Sequence, residues 1–457
     1  MQSPVRNVVL IVADTFRRDH LGCYAGHAGV TAAQAHTPHL DRLAARSAVF
    51  DHYYAAGFPT MPTRADHALG KWTFTFMGWE PLPRNQTTLS QILTEAGIRT
   101  LGVVDTPFYV QNGYGYDRGF QHFIELPTQP GRRLRTLQPE HRASEYDYCA
   151  PKTFFTTEQA LERIYKDRFF LMVDTWDPHE PWDPPDWYVR PYKPDYDGRV
   201  VAPPYNYYQQ AGLTDDDLAT ARACYAAECT MVDRWVGRLL ERLESLGVAE
   251  QTAVIFTTDH GFHFGEHGGL FGKMIRHQTW VRGRPAWARS PLYEDIAHIP
   301  LIVHVPGLPP RRVSQLTSAV DIMPSVLDLL GVPVPEGVTI HGRSFVPAVQ
   351  GEPVPGRDIV VTTMPLANPG QAVRVVDSVL RQVMEYQPAT ISTPEWSLLY
   401  AARGEPVELY HLPTDPRQQR NVAGDHPGVV QDLQRAYVSL LEETGTSEEY
   451  LAPRREL

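Results

Sequence analysis

Continuous apolar runs of strand length recur along the chain, and most of them end on an aspartate. Asn7 to Ala13 (NVVLIVA) is rich in β-branched residues and reads as a strand buried on both faces, with Asp14 just beyond it. Ile98 to Val104 leads to Asp105, Phe169 to Val173 to Asp174, and Thr252 to Thr258 to Asp259. Val49 to Ala55 and Ile299 to Val305 are further strands. Between them lie segments of helical period. Thr37-Pro38 opens one, with threonine as cap and proline at the first helical position. Others are expected from Pro62 to about Leu69, from Thr87 to Ala96 with Gly97 as the stop, from Thr157 to Tyr165, and from Thr214 to Gly247 behind an acidic first turn. Strands alternating with helices predict an α/β domain with a mostly parallel sheet.

After about residue 355 the pattern changes. Short strands are expected at Ile359 to Thr363, Val373 to Val376 and Val407 to His411, followed by a terminal helix from His426 to Glu443. This divides the chain into a catalytic α/β domain over 1–355 and a small C-terminal α+β lobe over 356–457.

In open α/β sheets, ligands bind beyond the carboxyl ends of the strands. One aspartate there is an ordinary turn residue, whereas four make a convergent polar site. Asp14, Asp259 and His260 offer two oxygens and a nitrogen to a divalent cation, and Thr60 can add a fourth oxygen. A bound cation lowers the pKa of a threonine hydroxyl and brings an alkoxide nucleophile within reach. Arg64, four residues on, would add positive potential and grip an anionic substrate with two parallel hydrogen bonds. A helix starting beside Thr60 adds its N-terminal field.

Composition narrows the classes. The 457 residues carry a net charge of -11, which argues against a nucleic-acid partner and leaves room for a small anionic ester. No apolar stretch reaches membrane-spanning length, and the run before Asp14 is short for a signal segment, so a cytoplasmic location is expected. The four cysteines, Cys23, Cys149, Cys224 and Cys229, show no metal spacing or disulfide framework. Two segments are candidates for shaping substrate choice. One is the aromatic and proline-rich stretch from Trp176 to Tyr208; the other is the locally basic Arg276 to Arg289. A homo-oligomer is compatible with this reading.

Several blocks together resemble the sulfatase branch of the alkaline phosphatase superfamily. They are NVVLIVADTFRRDHLGCYAG (Asn7 to Gly26), TPHLDRLAARSAVFDHYYA (Thr37 to Ala55), PTMPTRADHALGKW (Pro59 to Trp72) and DPHEPWDPP (Asp177 to Pro185). Further along stand TTDHGFHFGEHG (Thr257 to Gly268), LYEDIAHIPLIVHVPG (Leu292 to Gly307), HGRSFVP (His341 to Pro347) and ELYHLPTDPRQQRNVA (Glu408 to Ala423). The resemblance implies an alkaline-phosphatase-like fold and ester hydrolysis. It implies that Lys273 contacts the transferred group, that His179 binds substrate or protonates the leaving group, and that Asp105 and Thr106 line the pocket. His263 and His267 would be structural.

Three departures from the family pattern matter. Sulfatases carry a Cys or Ser, oxidised to formylglycine, where this chain has Thr60; oxidation of threonine at Cβ would give a ketone, so the hydrated-aldehyde route is closed. Thr15 follows Asp14 where a second acid is usual, which makes the site less suited to calcium than to manganese, zinc or iron. Asp105-Thr106-Pro107 replaces a Lys-Trp-His that serves sulfate. These changes favour phosphodiesters or phosphonate monoesters. Sulfate ester hydrolysis without formylglycine is the alternative, and a non-catalytic anion- or metal-binding protein is the reading from another class. One cation per chain is expected; Asp174, His179 and His341 are weak candidates for a second.

Overall fold

The computed structural model describes all residues except 1–4, 28, 107–112, 127–143, 282–283, 290, 369–370, 375–380, 387 and 403–404; over 276–289 and 372–386 only the backbone is described. Eight strands form the central sheet: β1 (Asn7–Ala13), β2 (Ala48–Phe50), β3 (Arg99–Val104), β4 (His122–Glu125), β5 (Phe169–Thr175), β6 (Thr252–Thr257), β7 (Leu301–His304) and β8 (Arg311–Val313). Their spatial order is β8-β2-β7-β6-β1-β5-β3-β4. From β6 to β4 every neighbouring pair is parallel, while β7 runs antiparallel to both β6 and β2.

Strand β1 shows why an uninterrupted apolar run suits the middle of this sheet. Val9, Ile11 and Ala13 enter one core with helices α4 (Cys149–Ile164) and α5 (Asp215–Ser245). Val8, Leu10 and Val12 enter another, with α3 (Leu89–Glu95) and α6 (Ile322–Leu329). Alternate side chains therefore stabilise opposite layers, at roughly 1.5–3 kcal/mol for each large one fully buried.

Helices α1 (Pro38–Ala44) and α2 (Thr60–Leu69) complete the shell. Helix α4 begins eight residues before the expected Thr157, because Pro151 falls in the first turn, where a missing N–H costs nothing. Helix α2 begins at Thr60, so that residue lies inside its first turn. The expected strand from Val49 to Ala55 is divided at Asp51 and His52 into β2 and the two-residue strand Tyr53–Tyr54.

The C-terminal lobe holds an antiparallel sheet of β9 (Val360–Thr362), β10 (Ala389–Ser392), β11 (Trp396–Tyr400) and β12 (Glu408–His411), covered by α7 (Pro427–Glu443). Its core also takes in Tyr54, Ala56, Trp72 and Phe74. Thr363 N–H donates to Ala56 O and Phe58 N–H to Thr363 O, at 2.9 and 3.0 Å, so the lobe braces the chain entering α2. The expected strand from Val373 to Val376 forms as Ala372–Arg374; its last two residues, Val375 and Val376, lie outside the described residues. The basic stretch from Arg276 to Arg289 is a β-hairpin of Ile275–Val281 and Arg284–Arg289, and its side chains lie outside the described residues.

Among the described residues no helix is long and apolar enough to cross a membrane.

Candidate active site

Register brings the aspartates together. Ala13 pairs with Thr175, Val12 with Thr257 and Val104 with Asp174, so the carboxyl ends of β6, β1, β5 and β3 stand side by side. Asp259, Asp14, Asp174 and Asp105 project from these four adjacent ends, and all four are fully buried.

Thr15 and the His260 N–H hold Asp14 and Asp259 through one oxygen of each. Asp14 Oδ1 accepts from the Thr15 hydroxyl at 2.6 Å. Asp259 Oδ1 accepts from the backbone N–H of Thr15 and of His260, both at 2.9 Å. Thr15 bridges the two acids from a left-handed backbone (φ 64°), a costly conformation for a β-branched residue. The Oδ2 atoms are left to face inward. Asp14 Oδ2 is buried without a hydrogen bond, and Asp259 Oδ2 lies 3.3 Å from His260 Nε2.

His260 Nδ1 stands 2.9 Å from Gly261 O. A carbonyl only accepts, so Nδ1 carries the proton, and burial holds the ring neutral, with its pKa pushed down to about 3. Nε2 therefore presents a lone pair to a carboxylate oxygen, and it too is buried without a hydrogen bond. Two acceptors face each other, which is unfavourable unless a cation sits between them. Ligand atoms of Asp14, Asp259 and His260 all lie within 4.8 Å of one another. This oxygen-nitrogen donor set fits a divalent ion.

Arg64 reaches the same acids from the second turn of α2. It pairs with Asp174 through two bonds, Nε to Oδ2 at 3.1 Å and Nη2 to Oδ1 at 2.8 Å. Nη2 is also 3.1 Å from Asp14 Oδ2, and Nη1 binds Asp259 Oδ2 in a short contact. The two-pronged grip expected on a substrate is thus engaged by Asp174. Three buried carboxylates surround one guanidinium, and burial together with Asp259 raises the pKa of Asp14. That excess of negative charge is what a bound cation would relieve.

Thr60 is buried at the start of α2, and Arg64 Nη1 approaches its carbonyl oxygen at 3.4 Å. Thr63 fixes this turn by donating its hydroxyl to Gly57 O at 2.5 Å. Asp66, one helical turn on, accepts from the N–H of Gly57 and of Thr73 and from the Thr73 hydroxyl. Asp66 was not legible as a site residue; its role depends on a loop that folds back over the helix.

Lys273 and His179 form a buried pair, with Nζ 2.5 Å from Nε2. His179 Nδ1 stands 2.8 Å from Glu180 O and so carries the ring proton. The ring is neutral, its pKa pulled down by burial and Lys273, and Nε2 accepts from the ammonium. Trp176 lies over the imidazole, ring centres 3.6 Å apart. Lys273 also acts electrostatically on Asp14, Asp259 and His260, which ties the pair to the acid cluster.

Asp105 accepts from Trp176 N–H at 2.6 Å and from the Thr153 and Thr175 hydroxyls at 2.8 and 3.1 Å, and so anchors the loop that carries His179. Thr106 is buried, and its hydroxyl has no hydrogen-bond partner among the described residues. Pro107 lies outside the described residues. Of the weak second-metal candidates, Asp174 binds Arg64, His179 meets Lys273, and His341 Nδ1 accepts from Trp72 N–H at 3.2 Å; the structure does not gather them into one group. In the aromatic stretch, Trp182 is buried against Tyr225, Phe262, Phe264 and Phe271, a packing role, while Trp187 is exposed.

Residues 6–332 match the Sulfatase family model. Arylsulfatase K of Xenopus laevis is 25% identical over 299 residues, 64% of this chain and 47% of that protein; the chain spans about half the length of such curated relatives. A phosphonate monoester hydrolase of Agrobacterium radiobacter has the same fold, with a TM-score of 0.74 and 22% identity over 98% of this chain and 97% of that one. So does a 2-O GAG sulfatase, with a TM-score of 0.72 and 18% identity over 98% and 93% of the two chains. With the family model covering most of the chain, the strand-end acids in place and the fold shared along its length, the chain belongs to the sulfatase family.

Proposed function

We propose that this protein is a metal-dependent ester hydrolase that cleaves phosphodiesters or phosphonate monoesters with Thr60 as nucleophile. The observation that carries this reading is a threonine, which cannot become formylglycine, buried at the first position of α2, the helix whose Arg64 reaches Asp14 and Asp259. The fold shared with a phosphonate monoester hydrolase supports it.

Asp14, Asp259 and His260, with Thr60, would hold a single divalent cation, which would supply Lewis-acid polarisation and charge neutralisation. Manganese, zinc or iron is the proposed ion. Thr60 Oγ1 gives up its proton to solvent and attacks phosphorus in line with the departing oxygen. The bond to the leaving group breaks, and the remaining half stays on Thr60 until water hydrolyses it. The first-turn N–H groups of α2 favour the anionic centre. Arg64 keeps Asp14, Asp174 and Asp259 in register and adds positive potential at the transferred group. Lys273 carries the proton nearest the leaving oxygen, and His179 holds that ammonium in place. Asp105 positions the loop of His179, and Thr106 offers its hydroxyl to the substrate.

Sulfate ester hydrolysis is the second reading, favoured by the arylsulfatase and choline-sulfatase relatives. One aryl leaving group presented as phosphate monoester, phosphodiester, phosphonate monoester and sulfate, across a series of metals, separates the two. Turnover of diester or phosphonate well above sulfate supports the first reading; turnover confined to the sulfate refutes it. We also place the protein in the cytoplasm, consistent with the free thiols of Cys23, Cys224 and Cys229; cell fractionation tests this.

A further inference from the structure

Beyond the loop that carries Asp259 and His260, a second arginine is surrounded by acids. Arg17 is buried and pairs with Asp19 at 2.7 Å, Glu266 at 2.9 Å and Asp295 at 3.0 Å. Arg17 Nη1 also donates to Phe262 O, which pins the chain just past His260. Three carboxylates against one guanidinium repeat the charge imbalance found around Arg64.

Two histidines converge on Asp295. His263 is fully buried, and its Nε2 stands 3.3 Å from Pro291 O. The carbonyl accepts, so Nε2 carries the proton and Nδ1 carries a lone pair. That Nδ1 is buried without a hydrogen-bond partner and lies 3.8 Å from Asp295 Oδ2. A lone pair aimed at a carboxylate oxygen is the same mismatch seen at His260. His267 Nε2 lies 3.3 Å from the same oxygen. His267 adopts a left-handed backbone (φ 51°), and its ring is stacked on Tyr293 with centres 3.7 Å apart. The strained turn and the stacked ring hold the imidazole in place.

Donor atoms around a tetrahedral ion with bonds of roughly 2.0–2.1 Å stand about 3.3 Å apart. The separations of 3.3 and 3.8 Å are close to that, and ligand atoms of His263, His267 and Asp295 all lie within 4.8 Å of one another. His267 and Asp295 also line a cavity of about 900 Å³, shared with Arg17, Arg222 and Arg417, which leaves the remaining coordination position open to water or an anion.

We propose that His263 Nδ1, His267 Nε2 and Asp295 Oδ2 form a second divalent transition-metal site, of zinc type by its two imidazoles and one carboxylate, separate from the Asp14–Asp259–His260 group. The site is independent of the reaction assigned to Thr60.

Zinc titration of the chelator-stripped, full-length protein, read by calorimetry and by metal analysis after dialysis, tests this. Wild type should bind two equivalents, Asp259→Asn one, His267→Asn one, and the double variant none; asparagine tolerates the left-handed backbone at 267. A single equivalent in wild type, or two retained in His267→Asn, overturns the proposal. Should His267→Asn fail to fold, anomalous scattering at the zinc edge from wild-type crystals decides. A peak between His263, His267 and Asp295 is expected, and a peak at Asp14, Asp259 and His260 alone contradicts the site.

Discussion

Arg64 holds both oxygens of Asp174, with Nε to Oδ2 at 3.1 Å and Nη2 to Oδ1 at 2.8 Å. Through this pair, helix α2, which begins with Thr60, is fixed to the carboxyl end of β5. The nucleophile candidate and the acid cluster are thereby parts of one rigid unit.

Removing that link should cost more than a surface ion pair would. Arg64→Ala leaves Asp14, Asp174 and Asp259 buried together without their shared cation. The expected loss is about 3–5 kcal/mol in metal-free protein. Added manganese should recover part of it, because a divalent ion neutralises two of the three acids. Urea denaturation with and without metal measures both effects.

Thr60→Ala should lower kcat at least ~10³-fold, since it removes the attacking oxygen together with one of the oxygens proposed to hold the cation. Thr60→Ser keeps the hydroxyl and should retain activity within roughly tenfold. Steady-state kinetics on an aryl phosphodiester checks the pair; equal losses in both variants would point to packing at the start of α2.

The Lys273–His179 contact predicts a leaving-group effect. Lys273→Ala should slow esters of poor leaving groups by roughly 10²-fold or more and esters of good ones far less, because only the former need a proton. His179→Gln should show the same pattern more weakly. Rates across a series of substituted phenols give the slope that distinguishes this from a loss of binding.

Asp66 supplies a pH signature away from the metal ligands. Burial pushes its pKa up from 3.8 to about 7. In the folded protein it therefore keeps its proton over a range in which the unfolded chain releases it. Stability from this group is complete below about pH 4 and is lost as pH rises through about 7, by a few kcal/mol in order of magnitude. Asp66→Asn should flatten that part of the stability profile, whatever its fixed cost from the lost acceptors of Gly57 and Thr73. Denaturation curves from pH 4 to 8 provide the comparison.

The sheet was legible because its central strands are buried on both faces and read as unbroken apolar runs. Asp14, Asp105, Asp174 and Asp259 follow directly from where those runs stop. Strands β10 and β11 were not legible: Ala389–Ser392 and Trp396–Tyr400 are short, mix small polar with apolar residues, and owe their place to pairing with each other and to the cover of α7. The partners of Arg64 were hidden for a different reason. Spacing from Thr60 fixes its position on the helix, whereas its direction depends on how α2 docks over three strands drawn from distant parts of the chain. In the second cluster His263 and His267 stand four residues apart, whereas Arg17 and Asp295 come from other segments, so the sequence did not show that they meet.

The central claim is that Thr60 forms the covalent bond to phosphorus. Acid quenching during turnover of an aryl phosphodiester, followed by peptide mass analysis, tests it most directly. The peptide containing Thr60 should carry the non-leaving half of the substrate, and the adduct should be absent from Thr60→Ala. Full turnover with Thr60 unmodified under every quench condition, or an adduct on another residue, would contradict the account.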